Sequence, residues 1–251
     1  MSLTVAILNQ KGGVGKTTTA VNLGSYLAKA GKRVLLVDLD PQGNATSGLG
    51  INKHTLNETM YDALFNHEAA PTIVQHTEFY GLQVLPANTN LAGAEVQLVS
   101  ALQRELQLRQ VLEQFDHDYI LIDCPPSLGL LTINALSAAD YVLIPVQTEY
   151  YALEGLSQLL NVIERVKAAI NPDLSILGVV MTMYDARNSL SEQVKAELAK
   201  HFGGKLFKTI IPRNVRLAEA PSFGKPIGEH DKWSKGARAY KALAKEVMQR
   251  V

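Results

Sequence analysis

A glycine-rich segment near the N-terminus has the residue types and the spacing of a phosphate-binding loop. An apolar run precedes it, a helical pattern follows it, and it reads Asn9-Gln10-Lys11-Gly12-Gly13-Val14-Gly15-Lys16-Thr17-Thr18. Glycines let backbone N–H groups turn inward around phosphate oxygens, and the start of the helix adds partial positive charge. Lys16 would contact the β- and γ-phosphates of a nucleotide, and Thr17 would bind Mg²⁺. A chance glycine-rich turn is the alternative, but it does not account for the flanking strand and helix.

The loop departs from the usual G-x-x-x-x-G-K-[ST] pattern, which would place a glycine at position 10 where this chain has Gln10. It also has a second lysine, Lys11, beside the glycines. Like charges placed close together cost energy, so Lys11 either points to solvent or serves a phosphate that its own loop cannot reach. The predicted nucleotide-binding residues of the loop are Lys11, Gly12, Gly13, Val14, Gly15, Lys16, Thr17 and Thr18.

Three aspartates lie at the ends of apolar runs. Asp38 and Asp40 follow the second run, and Asp123 ends a later one. In a doubly wound sheet such strand ends lie beside the phosphate loop. One of the first two carboxylates can bind Mg²⁺ through water while the other orients an attacking water, and Asp123 would hold Mg²⁺ directly or through water. A polar strand end without chemistry is the alternative for each.

Apolar runs alternate with helical patterns along the whole chain. Strands are predicted at residues 3–8, 33–37, 82–85, 119–122, 141–146, 176–182 and 206–211. Helices are predicted at residues 18–30, 58–66, 91–114 (broken near Ser100), 152–169, 191–202 and 235–250, and a long loop at 39–57. Continuous apolar strands indicate an α/β fold with a mainly parallel twisted sheet and helices on both faces. No linker-like change in composition divides residues 1–251, so we expect a single domain.

Composition excludes several classes of protein. With 47% hydrophobic and 19% charged residues, the chain can bury a large core and is not disordered. The single cysteine, Cys124, excludes a disulfide framework and any metal site built from several cysteines of one chain. Next to an apolar run, Cys124 is better interpreted as a small buried hydrophobe than as a redox or iron ligand. The six histidines show no metal-ligand spacing.

Charge is divided unevenly, although the net charge is zero. Residues 1–200 have a net charge of −7 and residues 201–251 a net charge of +7. The basic part could face a polyanion or could be an ordinary solvated surface. The longest uncharged stretches contain proline and are too short to span a bilayer. The phosphate loop begins too early to leave room for a signal peptide. We therefore expect a cytoplasmic protein that does not bind a membrane.

Lys-Gly-Gly-Val-Gly-Lys-Thr-Thr at 11–18 resembles the deviant Walker A motif of the ParA/MinD ATPases. Three further segments are similar to the chromosome-partitioning ParA branch, often called Soj. They are Val-Asp-Leu-Asp-Pro-Gln-Gly-Asn at 37–44, Ile-Asp-Cys-Pro-Pro-Ser at 122–127, and Pro-Val-Gln at 145–147 with Glu-Tyr-Tyr-Ala-Leu-Glu-Gly-Leu at 149–156. The resemblance extends from residue 4 to about residue 230.

The resemblance implies a P-loop ATPase that uses ATP and Mg²⁺ and forms a nucleotide-sandwich homodimer. It implies that Lys11 crosses the dimer to the partner's phosphates and that Asp40 orients the attacking water. Asp38 has an indirect role at Mg²⁺ in this family. The implied catalytic residues are Lys11, Lys16 and Asp40, and the implied metal site comprises Thr17, Asp38 and Asp123.

The resemblance also implies where the adenine base of ATP binds and which macromolecules the protein binds. It implies that adenine lies against residues 211–214 and near Met183, with a bond to the Pro212 carbonyl and contacts to the Arg213 or Asn214 side chain. A plain β-to-loop turn is the alternative at those positions. In the resembling proteins the ATP-bound dimer binds double-stranded DNA non-specifically.

For the DNA contacts in this chain we expect Arg187 and Arg216. The resemblance further implies a ParB-type centromere-binding partner that stimulates hydrolysis, and association with the nucleoid.

Three relatives of the ParA branch are less consistent with the sequence. A MinD-type membrane switch needs a C-terminal helix with bulky apolar residues, whereas the apolar side here is Ala237, Tyr240, Leu243, Ala244, Val247 and Met248. A metabolic P-loop enzyme such as a dethiobiotin synthetase relative is disfavoured by Lys11 and by the segment at 149–155. The nitrogenase iron protein needs two cysteines from each subunit for its cluster.

Overall fold

The computed structural model describes residues 2–149 and 152–251, so Tyr150 and Tyr151 of the family-like segment lie outside the described residues. Eight strands in the described residues form one sheet in the order β3-β4-β2-β5-β1-β6-β7-β8. They are β1 (Leu3–Ile7), β2 (Val34–Asp38), β3 (Gln75–His76), β4 (Leu82–Leu85), β5 (Tyr119–Asp123), β6 (Tyr141–Gln147), β7 (Ser175–Tyr184) and β8 (Leu206–Pro212). Only β3 pairs antiparallel among these strands.

Twelve α-helical segments connect or cover the strands within the described ranges. They are α1 (Lys16–Lys29), α2 (Asn44–Gly48), α3 (Met60–Phe65), α4 (Ala70–Ile73), α5 (Ala92–Leu98), α6 (Gln107–Leu112), α7 (Leu130–Ala138), α8 (Ala152–Ala169), α9 (Ser189–Phe202), α10 (Val215–Glu219), α11 (Ile227–His230) and α12 (Lys235–Arg250). None of the helices in this part of the chain is both long and apolar enough to cross a membrane.

The central strands are buried on both faces because their residues are apolar without alternation. All five residues of β2 and all five of β5 are buried. Two hydrophobic clusters result, one on each face of the sheet. One of them includes Leu23 and Leu27 of α1 together with Tyr240 and Leu243 of α12. The apolar side of α12 therefore packs onto the domain.

Strand β8 is an edge of the sheet, and α12 covers part of that edge. The carboxylate of Glu246 accepts hydrogen bonds from the backbone N–H groups of Lys208 and Thr209, each at 2.9 Å. Arg250 donates to the carbonyls of Leu177, at 3.2 Å, and Leu206, at 3.0 Å. The bonds to Leu206, Lys208 and Thr209 satisfy backbone groups that an edge strand would otherwise leave open to another chain.

The α/β fold is confirmed. The helix predicted at 91–114 is interrupted as expected near Ser100, and forms two short helices separated by residues 99–106. The loop predicted at 39–57 was wrong in part, because it contains helix α2. Helix α7 was not predicted, because its sequence Leu-Leu-Thr-Ile-Asn-Ala-Leu-Ser-Ala has no polar face. A helix buried on most sides lacks the periodic signal on which such predictions depend. The short segments β3, α4, α10 and α11 were also missed.

Candidate functional site

The predicted phosphate loop joins the end of β1 to the start of α1. Gly13 and Gly15 have φ angles of 76° and 89°, in the left-handed region where a side chain would be strained. Helix α1 begins at Lys16, so Thr17 and Thr18 lie in its first turn. Together with Gly12, these residues present the loop and the helix N-terminus at the carboxyl edge of the sheet.

The loop is held from the neighbouring strands. The hydroxyl of Thr182, near the end of β7, donates to the Val14 carbonyl at 2.8 Å. The amide of Asn9 donates to the Pro145 carbonyl on β6 at 2.7 Å, and its oxygen accepts from the Lys11 N–H at 3.0 Å. Loop shape therefore depends on strands that lie far away in the sequence.

Lys16 is enclosed by the loop that it belongs to. Only 6% of the residue is exposed, and its Nζ donates to the Lys11 carbonyl at 3.2 Å. Burial lowers the pKa of the Lys16 ammonium, and the negative charge of Asp123 is the strongest opposing influence. A buried ammonium bonded to one carbonyl retains donors for an anionic ligand.

Asp38 and Asp123 end the adjacent strands β2 and β5 and are paired in register. Both residues are fully buried. Asp38 Oδ2 accepts from the N–H and the hydroxyl of Thr46, at 2.8 and 2.7 Å, and its Oδ1 accepts from the Asp40 N–H at 3.3 Å. Burial raises the pKa of Asp38 to about 6, and the hydrogen bonds from Thr46 oppose the rise.

Asp123 is the less satisfied of the two carboxylates. Neither of its oxygens has a hydrogen-bond partner within the described residues. Burial raises the pKa of Asp123 well above its ordinary value, and the charge of Asp38 adds to the rise. The Thr17 hydroxyl is near enough to act in the opposite direction without forming a hydrogen bond of normal geometry, and the Lys16 ammonium also lowers the pKa. A buried acceptor without a donor, next to a second carboxylate, has the chemistry of a cation site.

Asp40 lies just beyond the end of β2, where 8% of the residue is exposed. Its Oδ1 accepts from the Gln42 N–H at 2.9 Å, and its carbonyl accepts from the Gly43 N–H at 2.8 Å. This turn leads directly into α2, which carries Thr46. One short segment therefore positions both Asp38 and Asp40.

Lys11 is ion-paired within its own chain. Its Nζ lies 2.5 Å from Glu149 Oε2, and the other carboxylate oxygen of Glu149 accepts from the Gln147 amide. The side chains of Lys11 and Glu149 are 40% and 49% exposed. Lys11 is thus held by a carboxylate at the surface of its own chain.

A cleft of about 240 Å³ opens beside the phosphate loop and brings the four predicted base-binding residues together. Met183 has a φ of 51°, an uncommon conformation for a residue other than glycine. Asn214 Oδ1 is buried and has no hydrogen-bond partner in the part of the chain that the structure describes. The cleft is lined by Gly15, Thr18, Thr182, Met183, Ile211, Pro212, Arg213, Asn214, Leu217, Ala218 and Tyr240.

The two arginines predicted to contact DNA lie at the surface in ion pairs. Arg187 bonds Asp185 through Nε at 2.9 Å and Nη2 at 2.7 Å, and 90% of its side chain is exposed. Arg216 lies 2.8 Å from Glu219 and 3.6 Å from Asp231. Both guanidinium groups are accessible, but a phosphate would have to compete with these carboxylates.

Sequence reasoning missed Thr46, Thr182 and Glu149. Thr182 ends an apolar run predicted as a strand, and Glu149 begins a family-like segment, so a signal was present for both. Thr46 lay in a predicted loop, where nothing marked it. Cys124 is buried, and burial raises the pKa of its thiol, in keeping with a small hydrophobe.

Comparisons with known proteins agree with this geometry. A family model described as an AAA domain matches residues 2–176. The sporulation initiation inhibitor protein Soj of Bacillus subtilis is 59% identical over 249 residues, which cover 98% of each chain. The chromosome partitioning protein ParA of Myxococcus xanthus is 55% identical over 248 residues, covering 98% of this chain and 88% of that protein.

A solved structure from Mycobacterium smegmatis, named cobyrinic acid a,c-diamide synthase, is 38% identical with a TM-score of 0.87. The match covers 99% of this chain and 95% of that chain, which contains a bound ATP analogue and magnesium. Identity to the partitioning relatives is higher and also extends over nearly the whole chain. With the deviant phosphate loop at the carboxyl edge of a mainly parallel sheet, these matches show that the chain belongs to the Soj/ParA family of chromosome-partitioning P-loop ATPases.

Proposed function

We propose that this chain binds and hydrolyses Mg²⁺-ATP, and that its ATP-bound homodimer binds double-stranded DNA without sequence preference. A ParB-type centromere-binding partner would stimulate hydrolysis and release the DNA, so the protein would be associated with the nucleoid. The observation that carries the ATPase proposal is the buried, unpartnered carboxylate of Asp123 beside the buried ammonium of Lys16. Opposite charges arranged in this way at a glycine-rich loop suit a metal-bound phosphate.

The residues present fit both Mg²⁺ and ATP. The unpartnered oxygens of Asp123 and the hydroxyl of Thr17 are hard oxygen donors of the kind that Mg²⁺ prefers. Asp38, held by Thr46, would act on the metal indirectly. When bound, Mg²⁺ would neutralise charge on the phosphates. Backbone N–H groups from Gly12 to Gly15 would bind phosphate oxygens, since the glycines permit the required turn.

The protein's own groups suggest a division of labour in hydrolysis. Lys16 would bind the β- and γ-phosphates and stabilise the charge that develops on them. Asp40, just beyond the strand end, would accept a hydrogen bond from the attacking water and orient it. We assign Lys11 to the nucleotide of the partner protomer, which requires its ion pair with Glu149 to open.

We propose that the adenine base of ATP binds in the cleft beside Met183. The unpartnered Asn214 Oδ1 supports this assignment, because an exocyclic amino group could satisfy it. The Pro212 carbonyl offers a second acceptor, and Arg213 would pack or bond at the rim.

The DNA proposal rests on the segregation of charge. A dimer would bring together two basic C-terminal parts of net charge +7 each, which suits contacts to phosphates without base readout. Arg187 and Arg216 remain our candidates because both are exposed.

Two measurements on the purified protein test the proposal. Phosphate release from Mg²⁺-ATP should be slow for the wild type and absent for Lys16→Ala, which should also lose ATP binding in calorimetry. Lys200→Ala, at an exposed position on α9, serves as the control. DNA binding should require ATP and should fall steeply with salt. Unchanged ATP affinity in Lys16→Ala would contradict the site, and equal DNA binding with ATP and ADP would contradict the switch.

The name of the M. smegmatis protein raises a second candidate, an ATP-dependent amide-forming synthase. A cobyrinic acid amidation assay with glutamine and ATP distinguishes the two. We expect no amide product, and product formation at a rate comparable to phosphate release would replace the partitioning proposal.

A further inference from the structure

A second cleft, of about 600 Å³, lies between α1, α11 and α12, and none of its lining residues lines the base cleft or forms the phosphate loop. Tyr26 and Ala30 contribute from the end of α1, and Ala244 and Met248 from α12. These side chains form an apolar floor. The floor is open to water when the cleft is empty. An apolar group from outside that packs against it would be removed from water together with the floor, which is favourable.

The walls of this cleft are basic. Lys29, Lys232, Lys241 and Lys245 line it, and its lining includes no carboxylate. Lys29 is paired with Glu229 at 2.8 Å. The other three lysines have no ion-pair partner among the residues that the structure describes. Three uncompensated cations around one cleft favour an anionic occupant.

Trp233 stands at the mouth of the cleft and is the only tryptophan of the chain. It is 79% exposed, and the Lys232 ammonium lies 5.2 Å from the centre of its ring. Its backbone N–H donates to Asp231 Oδ1 at 3.1 Å, so the residue sits on a hydrogen-bonded turn. Tryptophan is enriched among the residues that contribute most to binding between proteins.

We infer that this cleft binds an acidic segment of a partner protein. An apolar side chain of that segment packs between Trp233 and the floor, and neighbouring carboxylates pair with Lys232, Lys241 and Lys245. A DNA duplex fits the cleft less well, because it presents phosphates on a convex surface and buries little apolar area. This inference does not depend on ATP hydrolysis. It assigns Lys232, Lys241 and Lys245, which belong to the basic C-terminal part, to a protein partner rather than to DNA.

Trp233 provides the readout, since no other tryptophan contributes to the emission. The probe is the capped peptide Glu-Glu-Leu-Glu-Glu-Phe-Glu-Glu, added to the full chain without nucleotide. We expect a saturable blue shift of the emission. Lys241→Glu and Lys245→Glu should each weaken binding roughly tenfold or more, a change of about 1.4 kcal/mol. Lys200→Glu, an exposed charge reversal on α9, should leave it unchanged.

Three outcomes would overturn the inference. The first is the absence of a saturable shift. The second is equal binding of a control peptide in which Leu and Phe are replaced by Ser, because the apolar floor would then contribute nothing. The third is an equal shift with a short DNA duplex that competes with the peptide, which would assign the cleft to nucleic acid.

Discussion

Asp38 and Asp123 face each other in register at the ends of two neighbouring parallel strands, and both are completely buried. Only Asp38 is supplied with donors, through Thr46 and the Asp40 N–H. Burial is the largest influence that raises the pKa of each carboxyl, and the charge of Asp38 adds to the rise at Asp123. The protein therefore maintains a site that is unfavourable for the fold unless a cation is present.

Asp123→Asn should stabilise the protein in the absence of nucleotide and Mg²⁺. Because the pKa of Asp123 is higher in the folded than in the unfolded chain, its charge costs stability as pH rises from about 4 through the folded pKa. We expect the variant to gain about 1–3 kcal/mol near pH 8 and clearly less near pH 5. Urea unfolding at the two pH values tests this, and a gain that does not depend on pH would contradict it.

Asp40→Ala should separate binding from turnover. ATP affinity by calorimetry should stay close to that of the wild type, while phosphate release falls at least about 100-fold. Without hydrolysis, a dimer should accumulate with ATP in sizing experiments. Wild-type turnover would assign the orientation of water to another residue.

Lys11→Ala and Glu149→Gln should have opposite effects on dimerisation. If Lys11 serves the partner's nucleotide, its removal should leave ATP binding by the monomer intact but prevent the ATP-dependent dimer. Glu149→Gln releases Lys11 from its 2.5 Å ion pair and should lower the ATP concentration needed for dimerisation. Light scattering across an ATP titration measures both, and normal dimerisation of Lys11→Ala would indicate a solvent-facing lysine.

Arg187→Glu and Arg216→Glu should weaken binding to any DNA duplex. For every phosphate that the variant no longer neutralises, the slope of log affinity against log salt should become shallower by about 0.9. ATP affinity should not change, because neither arginine lines the base cleft or belongs to the phosphate loop. Salt titrations of the wild type and the two variants provide the test, and three equal slopes would exclude both arginines.

Glu246→Gln should destabilise the fold by about 1–3 kcal/mol near neutral pH, because charged hydrogen bonds to Lys208, Thr209 and Arg250 are weakened. Partial burial acts to raise the pKa of Glu246, but these bonds outweigh it and lower the pKa. A depressed carboxyl pKa contributes stability above the unfolded value, and this stability disappears as pH falls through the folded pKa. Thermal unfolding should therefore show the two proteins converging below about pH 4.

The pattern of apolar residues predicted the central strands because they are buried along their whole length. It predicted the long helices because each is buried on one side only. Helix α8 and helix α12 have the predicted bounds. Helix α7 was missed because its few polar residues are not gathered on one face, so the sequence has no periodic signal. Helix α2 was not predicted because Gly43, Asn44 and Gly48 are residue types typical of loops. In the structure, Asp38 holds this segment in helical form through its hydrogen bonds with Thr46.

For the site, motifs identified the residues but not their partners. The aspartates at strand ends were predictable because parallel strands share a carboxyl edge. The ion pair of Lys11 with Glu149, 138 positions away, depends on the meeting of β6 with the phosphate loop. The unpartnered Asn214 oxygen is equally a product of tertiary packing, which no local pattern encodes.

The hydrogen bonds by which α12 covers the edge of strand β8 have a consequence for the synthesis of the protein. The backbone N–H of Lys208 donates to Glu246, which the ribosome adds 38 residues later. At typical rates of synthesis this interval lasts roughly 2–8 s. Until α12 has packed onto the sheet, β8 can pair with β7 while its outer edge is open to strands of neighbouring chains. The period between the emergence of β8 and the docking of α12 is thus when this sheet is most exposed to misassembly.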